Sequence, residues 1–407
     1  MAGLAEDFKS LPPEYQNVLR LAQDTHSIDV TPLQEIKGGR TGAYLYLVSV
    51  ASSEPEKIQH FVLKLDHKNE KTKIDELKRH STVLSQAPQD FARNHIANLA
   101  FDRIEIDGAV AIFYSIAGQS LFQYRSLASY QQQSQLEKIF RMTNEILLPG
   151  WNTGLTFEQK VHPQKLLADW LGYRLKPGSD IEHFLEEFCN IQHDTAGLMF
   201  QGSAFPNPLV FAREPDRWGK IRHIDTIKGF QHGDLNIGNI LARFSEDQAE
   251  LTGYYLIDFA LFKDQMPLLY DQHYLEISYL IRELSHAPVQ KWVDLVSRFA
   301  EQDIIDPHQV PVELAGACTV ITAGRKDFAD WVQLSYPSLS DDLWGQYWLA
   351  AVAAGLNYCN KTNITVQERL GGLIFAAAHL KRYHTIFGVS LPVEVKHLDI
   401  VVWKSMN

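Results

Sequence analysis

The residues that best suit a chemical reaction lie in two short stretches in the second half of the chain. The first is Gly229-Phe-Gln-His-Gly-Asp-Leu-Asn-Ile-Gly-Asn-Ile-Leu241, and the second is Tyr254-Tyr-Leu-Ile-Asp-Phe-Ala-Leu261. Phosphoryl transfer needs a carboxylate that orients an attacking hydroxyl and accepts its proton, together with hard oxygen ligands for a divalent metal. Asp234 fits the first requirement, and Asn239 and Asp258 fit the second. The two stretches therefore indicate phosphoryl transfer from a metal-bound nucleotide.

The spacing of these residues also predicts how they come together. One apolar strand begins directly after Asn239, and a second apolar run ends directly before Asp258. Residues 243–253 between them are mostly polar and include a glycine, as expected of an exposed connection in a hairpin. Two adjacent strands would place Asn239 beside Asp258.

The motif His232-Gly-Asp234-x-x-x-x-Asn239, followed by two apolar residues and Asp258, resembles the catalytic loop and metal motif of aminoglycoside phosphotransferases and choline kinases. Eukaryotic-type protein kinases share its skeleton. The resemblance implies that Asp234 is the catalytic base, that Asn239 and Asp258 bind Mg²⁺, and that His232 orients the loop. Ala260 stands where protein kinases carry glycine, which favours the small-molecule kinase branch.

A glycine-rich stretch precedes the first clear strand, at Ile36-Lys-Gly-Gly-Arg-Thr-Gly-Ala-Tyr44. Gly38, Gly39 and Gly42 permit a close approach of the backbone to a ligand. The resemblance implies that this loop holds the nucleotide phosphates, although the strict G-x-G-x-x-G spacing is absent. Taken by itself, the stretch is also compatible with an ordinary hairpin turn.

Lys64 interrupts the apolar stretch Phe61-Val-Leu-Lys-Leu65. An unpaired ammonium buried in such a strand is costly, so we expect an anionic partner, unless the strand is at an edge and the lysine reaches solvent. The resemblance implies that Lys64 binds the α- and β-phosphates and pairs with a glutamate on the following helix. Glu76 is the first candidate for that glutamate and Glu70 the second, because the helix register is not fixed by the sequence.

The stretch Val110-Ala-Ile-Phe-Tyr-Ser-Ile-Ala-Gly-Gln-Ser-Leu121 resembles the strand and hinge of aminoglycoside phosphotransferase-like proteins. The resemblance implies that the backbone between Tyr114 and Ile116 hydrogen-bonds the adenine base. A buried strand that ends in a turn at Gly118 explains the same residues without any ligand.

The elements predicted around these residues are mainly strands at first and mainly helices later. Strands are predicted over 44–50, 61–65, 104–106 and 110–116, with a helix over 71–84. Helices are predicted over 135–148, 163–173, 181–191, 274–284, 289–301 and 343–357, around strands over 223–229, 239–242 and 253–262. This order predicts an α+β, bilobal protein-kinase-like fold: an N-terminal extension (1–27), a small β-rich N-lobe (28–117) that binds nucleotide, and a larger mainly helical C-lobe (118–407) with the catalytic loop, metal site and acceptor region.

The late helices carry aromatic and polar residues that have two interpretations. In the small-molecule kinases that the chain resembles, such helices line the acceptor pocket, which Trp344-Gly-Gln-Tyr-Trp348 and Asn357-Tyr-Cys-Asn360 would do here. Core packing explains the same residues equally well. Asp271 and Glu276 are likewise either acids that support the fold or acids that bind the acceptor.

Composition narrows the class of protein. Of 407 residues, 45% are hydrophobic and 21% charged, which is typical of a packed globular protein. The net charge is -11 and there is no long basic run, so general nucleic-acid binding is disfavoured. The three cysteines show no metal-ligand or disulfide spacing. The acidic N-terminus and the lack of a long apolar run predict a cytoplasmic protein without a membrane segment.

The sequence therefore predicts a phosphotransferase that uses ATP or GTP with Mg²⁺ to modify a hydroxyl of a small molecule, aminoglycoside- or choline-like, or of a protein. The acidic net charge favours a cationic acceptor. A first alternative is a catalytically weak or inactive nucleotide-binding regulator that acts through a protein partner, as the loose glycine loop and Ala260 would allow. A second alternative is nucleotidyl transfer on the same fold.

Overall fold

The structure, a computed structural model, describes residues 4–36, 43–52, 58–67, 76–115, 124–192, 194–200, 202–247, 250–284, 289–390 and 395–397. The chain divides into two compact units, and each is built from two separate stretches. The sheet unit consists of Met1–Ile139 and Asp234–Phe262, and the helical unit consists of Phe140–Gly233 and Lys263–Asn407.

Strands dominate the first part of the chain. In order, the elements are α1 (Pro13–His26), β1 (Ile28–Glu35), β2 (Tyr44–Ser52), β3 (Ile58–His67), α2 (Glu76–Gln86), α3 (Gln89–His95), β4 (Asn98–Leu99), β5 (Ile104–Ile106), β6 (Ala109–Ser115), β7 (Arg125–Ser126) and α4 (Gln133–Glu145).

Helices dominate the remainder, with short strands among them. In order, the elements are β8 (Thr156–Val161), α5 (Pro163–Leu171), α6 (Asp180–Glu187), β9 (Gly197–Phe200), β10 (Ser203–Pro206), α7 (Pro208–Arg213), β11 (Ile224–Gln231), β12 (Ile240–Phe244), β13 (Leu251–Leu256), β14 (Lys263–Pro267), α8 (Tyr270–Leu284), α9 (Val289–Gln302), α10 (Val312–Ser335), α11 (Ser340–Asn360), α12 (Val366–Phe387) and β15 (Val395–His397).

The main sheet of the sheet unit is antiparallel, in the order β1-β2-β3-β6-β4, with β5 also paired to β6. Side chains alternate between the two faces of a strand. On one face, Leu63 and its neighbours pack with Phe8 and α1. On the other face, Val62 packs with Leu241 of β12 and Tyr255 of β13. The hairpin β12–β13 therefore completes the core of this unit, although it follows the first stretch of the unit by almost a hundred residues.

The helical unit is organised around α11 and α12, which are buried over most of their length. Gly355 on α11 and Gly372 on α12 bring the two backbones together, because a Cβ at either residue would lie 2.5 Å or 2.7 Å from the carbonyl oxygen of the other. Two small sheets flank these helices, in the orders β14-β11-β8 and β10-β9-β15.

The predicted fold class is confirmed: a β-rich first part is followed by a larger helical part, and the chain forms two units. The units divide the chain differently from the predicted lobes, because residues 234–262 share the core of the N-terminal sheet. Among the described residues, each helix is too short or too polar to span a bilayer.

Candidate active site

Lys64 lies in the centre of β3, within a run of five buried residues from Phe61 to Leu65. The alternation along the strand places its side chain on the face of Val62, where the hairpin β12–β13 packs, rather than on the face covered by α1. Only 3% of Lys64 is exposed. A lysine at such a position needs charged partners within the protein.

Three carboxylates surround the Lys64 ammonium: Nζ is 3.0 Å from Asp258, 3.0 Å from Glu76 and 3.4 Å from Asp66. Burial by itself lowers the pKa of Lys64, but the three carboxylates, with Asp258 contributing most, more than offset this and hold the pKa above its ordinary value. Lys64 is therefore a permanently charged cation at neutral pH. The sequence offered no signal for Asp66 beyond its position two residues after Lys64, which puts it on the same face of the strand.

Glu76, at the start of the described part of α2, holds Lys64 through both carboxylate oxygens, at 3.1 Å and 3.0 Å. The hydroxyl of Tyr114 donates a further hydrogen bond of 2.6 Å to Glu76 Oε1. Burial and the nearby charge of Asp258 raise the pKa of Glu76, whereas Lys64 and the Tyr114 hydroxyl oppose that rise. The structure thus brings Lys64 and Glu76 together. Glu70, the other candidate, lies outside the described residues.

Tyr114 has a different position from the one predicted by the resemblance. It is paired with Val62 of β3 on one side and with Leu99 of β4 on the other, inside the sheet. Its ring is buried, and its hydroxyl is bound to Glu76. A residue with strands on both sides does not offer its backbone to a base, so the predicted adenine contact of Tyr114 is corrected. Ile116 lies outside the described residues, and its contact remains a prediction.

The hairpin β12–β13 brings Asn239 close to Asp258. The strands pair antiparallel from Ile240 opposite Leu256, and the backbone N–H of Ile257 donates to the carbonyl of Asn239 at 3.1 Å. Asn239 and Asp258 therefore leave the same end of the hairpin on neighbouring strands. The side chain of Asn239, only 6% exposed, donates through Nδ2 to the carbonyl of Asp234 at 2.8 Å.

Asp234 begins a tight turn that Asn236 stabilises. The backbone N–H and the side-chain Nδ2 of Asn236 donate to the Asp234 carbonyl at 2.8 Å and 3.1 Å, and Nδ2 lies 3.4 Å from Asp234 Oδ2. Asn236 Oδ1 in turn accepts the N–H of Gly238 at 2.8 Å. The asparagine is a site residue that the sequence interpretation left out, although an asparagine whose side chain binds the backbone two residues later is a common turn former.

Asp258 sits where β13 ends and a short helical turn, Phe259–Leu261, begins. Its φ of 65° and ψ of 65° are left-handed, which is uncommon for a residue other than glycine. Arg79 on α2 donates to the carbonyl of Ala260 at 2.8 Å and lies 3.5 Å from that of Phe262. The helix that supplies Glu76 therefore also binds the segment directly after Asp258.

His232 and Gly233 precede Asp234 and belong to the helical unit. Their backbone N–H groups donate to the two carboxylate oxygens of Asp271, at 2.6 Å and 2.9 Å. His232 is fully buried, and Gly233 has a φ of 82° that favours glycine. Of the two open interpretations of Asp271, the contacts support the structural one, because its carboxylate fixes the backbone that leads into Asp234.

A cavity of about 310 Å³ opens on the hairpin face of the sheet, within the sheet unit. Leu47, Val62 and Leu241 form apolar parts of its wall. Tyr124 contributes an aromatic ring, and Gly253 on β13 leaves room for it, since a Cβ at 253 would lie 2.1 Å from the Tyr124 hydroxyl oxygen. The cavity lies beside Val62, on the same strand face as Lys64.

Several predicted site residues lie outside the described part of the chain, namely Gly38, Gly39, Gly42 and Ile116. In the helical unit, Trp348 and Asn357 are buried and hydrogen-bonded, to Asp303 and to the Tyr270 hydroxyl, each at 2.7 Å. Glu276 is buried against Arg325. Trp348 and Asn357 therefore pack in the core of the helical unit.

Comparison with known proteins gives matches to solved structures only. Neither a protein-family model nor a curated protein matches the chain. A spectinomycin phosphotransferase solved with ADP and spectinomycin matches at a TM-score of 0.39 with 12% identity, over 92% of this chain and 99% of its own. An ethanolamine kinase from Plasmodium vivax matches at 0.35 with 12% identity, over 94% and 86%.

A third solved structure, the GDP complex of an aminoglycoside 2′-phosphotransferase, matches at a TM-score of 0.29 with 12% identity, over 84% of this chain and 99% of its own. These proteins are of the class that the sequence motif resembles.

Proposed function

We propose that this protein is a phosphotransferase that moves the γ-phosphoryl group of ATP or GTP, with Mg²⁺, to a hydroxyl group. The observation that carries the proposal is the buried Lys64, 3.0 Å from Asp258, at the hairpin end where Asn239 is hydrogen-bonded to Asp234. Phosphoryl transfer needs a cation for the phosphates, oxygen ligands for a metal and a carboxylate for the acceptor. These four side chains supply all three.

The donor set of the hairpin end fits Mg²⁺. Asp258 provides a carboxylate, and the Nδ2 bond from Asn239 to the Asp234 carbonyl leaves the Asn239 amide oxygen for a ligand. Mg²⁺ prefers such hard oxygen ligands and completes its shell with phosphate oxygens and water, so two protein ligands suffice. When bound there by Asp258 and Asn239, the ion would neutralise negative charge on the nucleotide phosphates.

The cavity beside Val62 fits a nucleotide base. Its volume of about 310 Å³ lies at the lower end of the range for small-molecule sites. Leu47, Val62 and Leu241 offer apolar surfaces for a flat ring, and Arg125 and Ser126 offer polar groups at its margin. Lys64 follows Val62 by two residues on the same face, about 7 Å further along the strand. A base in the cavity would thus direct its phosphates toward Lys64.

In the proposed reaction, the carboxylate of Asp234 orients the acceptor hydroxyl and accepts its proton. The acceptor oxygen forms a bond to the γ-phosphorus while the bond to the β–γ bridging oxygen breaks, and the electron pair leaves with the nucleoside diphosphate. Lys64 stabilises the negative charge on the phosphates. Asn236, which holds the Asp234 turn, keeps the carboxylate in place.

The acceptor in this proposal is a hydroxyl of a small molecule or a protein. The net charge of -11 favours a cationic molecule, such as an aminoglycoside- or choline-like amine, through long-range attraction. We further propose that the protein works in the cytoplasm without binding nucleic acid or a membrane.

The variant Asp234→Asn tests the proposal. It keeps the size of the side chain but removes the proton acceptor, so we expect MgATP affinity to stay within about threefold and turnover to fall by about 10³-fold. Calorimetric titration measures the affinity, and release or transfer of labelled γ-phosphate measures turnover. Asp90→Asn, at an exposed position on α3, is the matched control and should change neither.

Three results would contradict the proposal in distinguishable ways. Full turnover in Asp234→Asn would reject Asp234 as the base. Binding of MgATP by the natural sequence without any turnover would support a nucleotide-binding regulator instead. An acceptor whose mass increases by a nucleotidyl group rather than a phosphoryl group would support nucleotidyl transfer.

A further inference from the structure

The hydroxyl of Tyr114 is hydrogen-bonded to Glu76 in the interior of the sheet unit. The residue is 1% exposed, and its hydroxyl donates to Glu76 Oε1 at 2.6 Å. The ring packs against the imidazole of His80, with centroids 5.4 Å apart. His80 is itself held by a bond of 2.6 Å between Nε2 and the carbonyl of Ala97. The Tyr114 hydroxyl therefore approaches Glu76 from a rigid position.

The Lys64 ammonium contacts three carboxylates, so its direction depends on where each carboxylate is held, including that of Glu76. The ammonium is shared among Asp258, Glu76 and Asp66. In the proposed reaction, Asp258 would hold the metal ion and Lys64 would neutralise the phosphates. Glu76 then remains the carboxylate that anchors Lys64 from α2, and it needs a support other than Lys64 itself.

We propose that Tyr114 is a positioning residue: its hydroxyl fixes the Glu76 carboxylate, which in turn directs Lys64 toward the nucleotide phosphates. This role rests on the proposed phosphotransferase function. Tyr114 touches neither nucleotide nor acceptor and acts only through Glu76. The role differs from the backbone contact to adenine that the sequence resemblance implied for the same residue.

The physical consequence is a selective loss of rate. The charge of Lys64 matters most when negative charge builds up on the phosphates in the transition state, so misplacing Lys64 lowers kcat more than it weakens nucleotide binding. Tyr114→Phe removes one hydroxyl and keeps the buried ring. We expect kcat for MgATP hydrolysis to fall by about tenfold while KM stays within about twofold, as for loss of one hydrogen bond to a charged group.

The experiment measures hydrolysis of γ-labelled MgATP by the full chain, with water as acceptor, in four variants. These are Tyr114→Phe, Glu76→Gln, the two combined, and the control Tyr130→Phe. Tyr130 is a matched control because it is also a buried tyrosine of the sheet unit, and its hydroxyl donates to the Ala242 carbonyl at 2.8 Å, whereas that of Tyr114 donates to Glu76. Thermal unfolding of each variant verifies folding.

Because Tyr114 acts through Glu76, the combined variant should be no slower than Glu76→Gln alone. A Tyr114→Phe variant with the same kcat as Tyr130→Phe, or losses that multiply in the combined variant, would overturn the role of Tyr114. If the natural sequence neither binds nor hydrolyses MgATP and does neither with MgGTP, the phosphotransferase function fails, and the positioning role fails with it. If only the role of Tyr114 fails, the natural sequence still hydrolyses the nucleotide, so this failure is distinguishable from failure of the phosphotransferase function.

Discussion

The backbone of Asp258 adopts a left-handed conformation that costs a residue with a Cβ about 1 kcal/mol. Contacts on both sides hold it: Lys64 binds the carboxylate at 3.0 Å, and Arg79 binds the carbonyl of Ala260, two residues later. Strain that surrounding contacts maintain is common where a side chain must point in one direction before its ligand arrives. Here it directs a carboxylate out of the hairpin, beside Asn239.

At the residue scale, replacing Lys64 tests how far the cluster depends on its cation. Lys64→Met leaves three carboxylates near one another without a counter-charge, and breaking a buried ion pair in this way costs about 3 kcal/mol or more. We expect the free energy of unfolding in urea to fall by that amount. Lys165→Met is the control, because Lys165 also contacts two carboxylates, at 3.1 Å and 3.2 Å, but is 47% exposed.

Exposed ion pairs contribute about 0–1 kcal/mol, so the Lys165 variant should be nearly as stable as the natural sequence. Equal effects of the two replacements would show that burial of Lys64 does not matter to stability.

The residues of the candidate site were predicted from the sequence where their types and spacing are local, and their roles remain predictions. Asp234 and Asn239 lie in one motif, and Lys64 stands out as a charge in an apolar strand. The bond from Arg79 to Ala260 joins residues 181 positions apart, and no local pattern encodes it. The contact of Tyr114 with Glu76 depends in the same way on how β6 and α2 pack, so the local sequence around Tyr114 does not indicate it.

At the scale of elements, the contact between α11 and α12 depends on two glycines. Gly355→Ala would gain about 1 kcal/mol of helix propensity. Its Cβ, however, would lie 2.5 Å from the carbonyl oxygen of Gly372 and 2.8 Å from the backbone N of Ala376, and backbone atoms do not move aside like a flexible side chain. We expect a net loss of about 2 kcal/mol in the free energy of unfolding, measured by urea denaturation.

The matched control is Gly324→Ala on α10. A Cβ there would meet its nearest neighbour, Asn144 Nδ2, at 3.5 Å, which is an ordinary contact. Gly324→Ala should therefore gain helix propensity without a steric clash. Its free energy of unfolding should equal or exceed that of the natural sequence. Comparable destabilisation by both replacements would contradict the close helix contact.

The two strands of the hairpin were predicted, because apolar runs on either side of a polar connection have few other interpretations, but the predicted second strand, 253–262, ends at Leu256 in the structure. No helix was predicted over α12, although more than half of its residues are buried. A helix surrounded by protein lacks the polar face that makes a 3.6-residue period visible. The pair Gly371-Gly372 inside α12 is also typical of the end of a helix. In the structure, however, Gly372 lies within the helix and permits the close approach of α11.

At the scale of the whole molecule, buried imidazoles link stability to pH. Burial lowers the pKa of His384 and of His379 to about 3 in each case, with the nearby Arg325 adding to the effect on His379. Both residues are neutral when folded and take up a proton near pH 6.5 when unfolded. Their contribution to stability is complete above pH 6.5 and is lost progressively as the pH falls toward 3, by about 1.4 kcal/mol per unit for each group.

The variant His384→Leu tests this linkage. Its ring is 1% exposed, packs on Phe211 and Trp218 with centroids 5.1 Å away, and in the described part of the chain neither ring nitrogen has a hydrogen-bond partner. An apolar side chain of similar volume should fit there. We expect the loss of unfolding free energy between pH 6 and pH 4 to become smaller by about 1.4 kcal/mol per unit. Parallel pH curves for variant and natural sequence would reject the linkage.

The division of the chain into interleaved units has a consequence for its synthesis. Residues 234–262 belong to the sheet unit but are made after about ninety residues of the helical unit. The chain therefore crosses between the two units three times. As the polypeptide emerges from the ribosome, the first stretch lacks Leu241 and Tyr255, which cover one face of its sheet. The apolar face of the nascent sheet therefore stays exposed until residues 234–262 have been synthesised. A chaperone bound to that face would protect it from aggregation during this time.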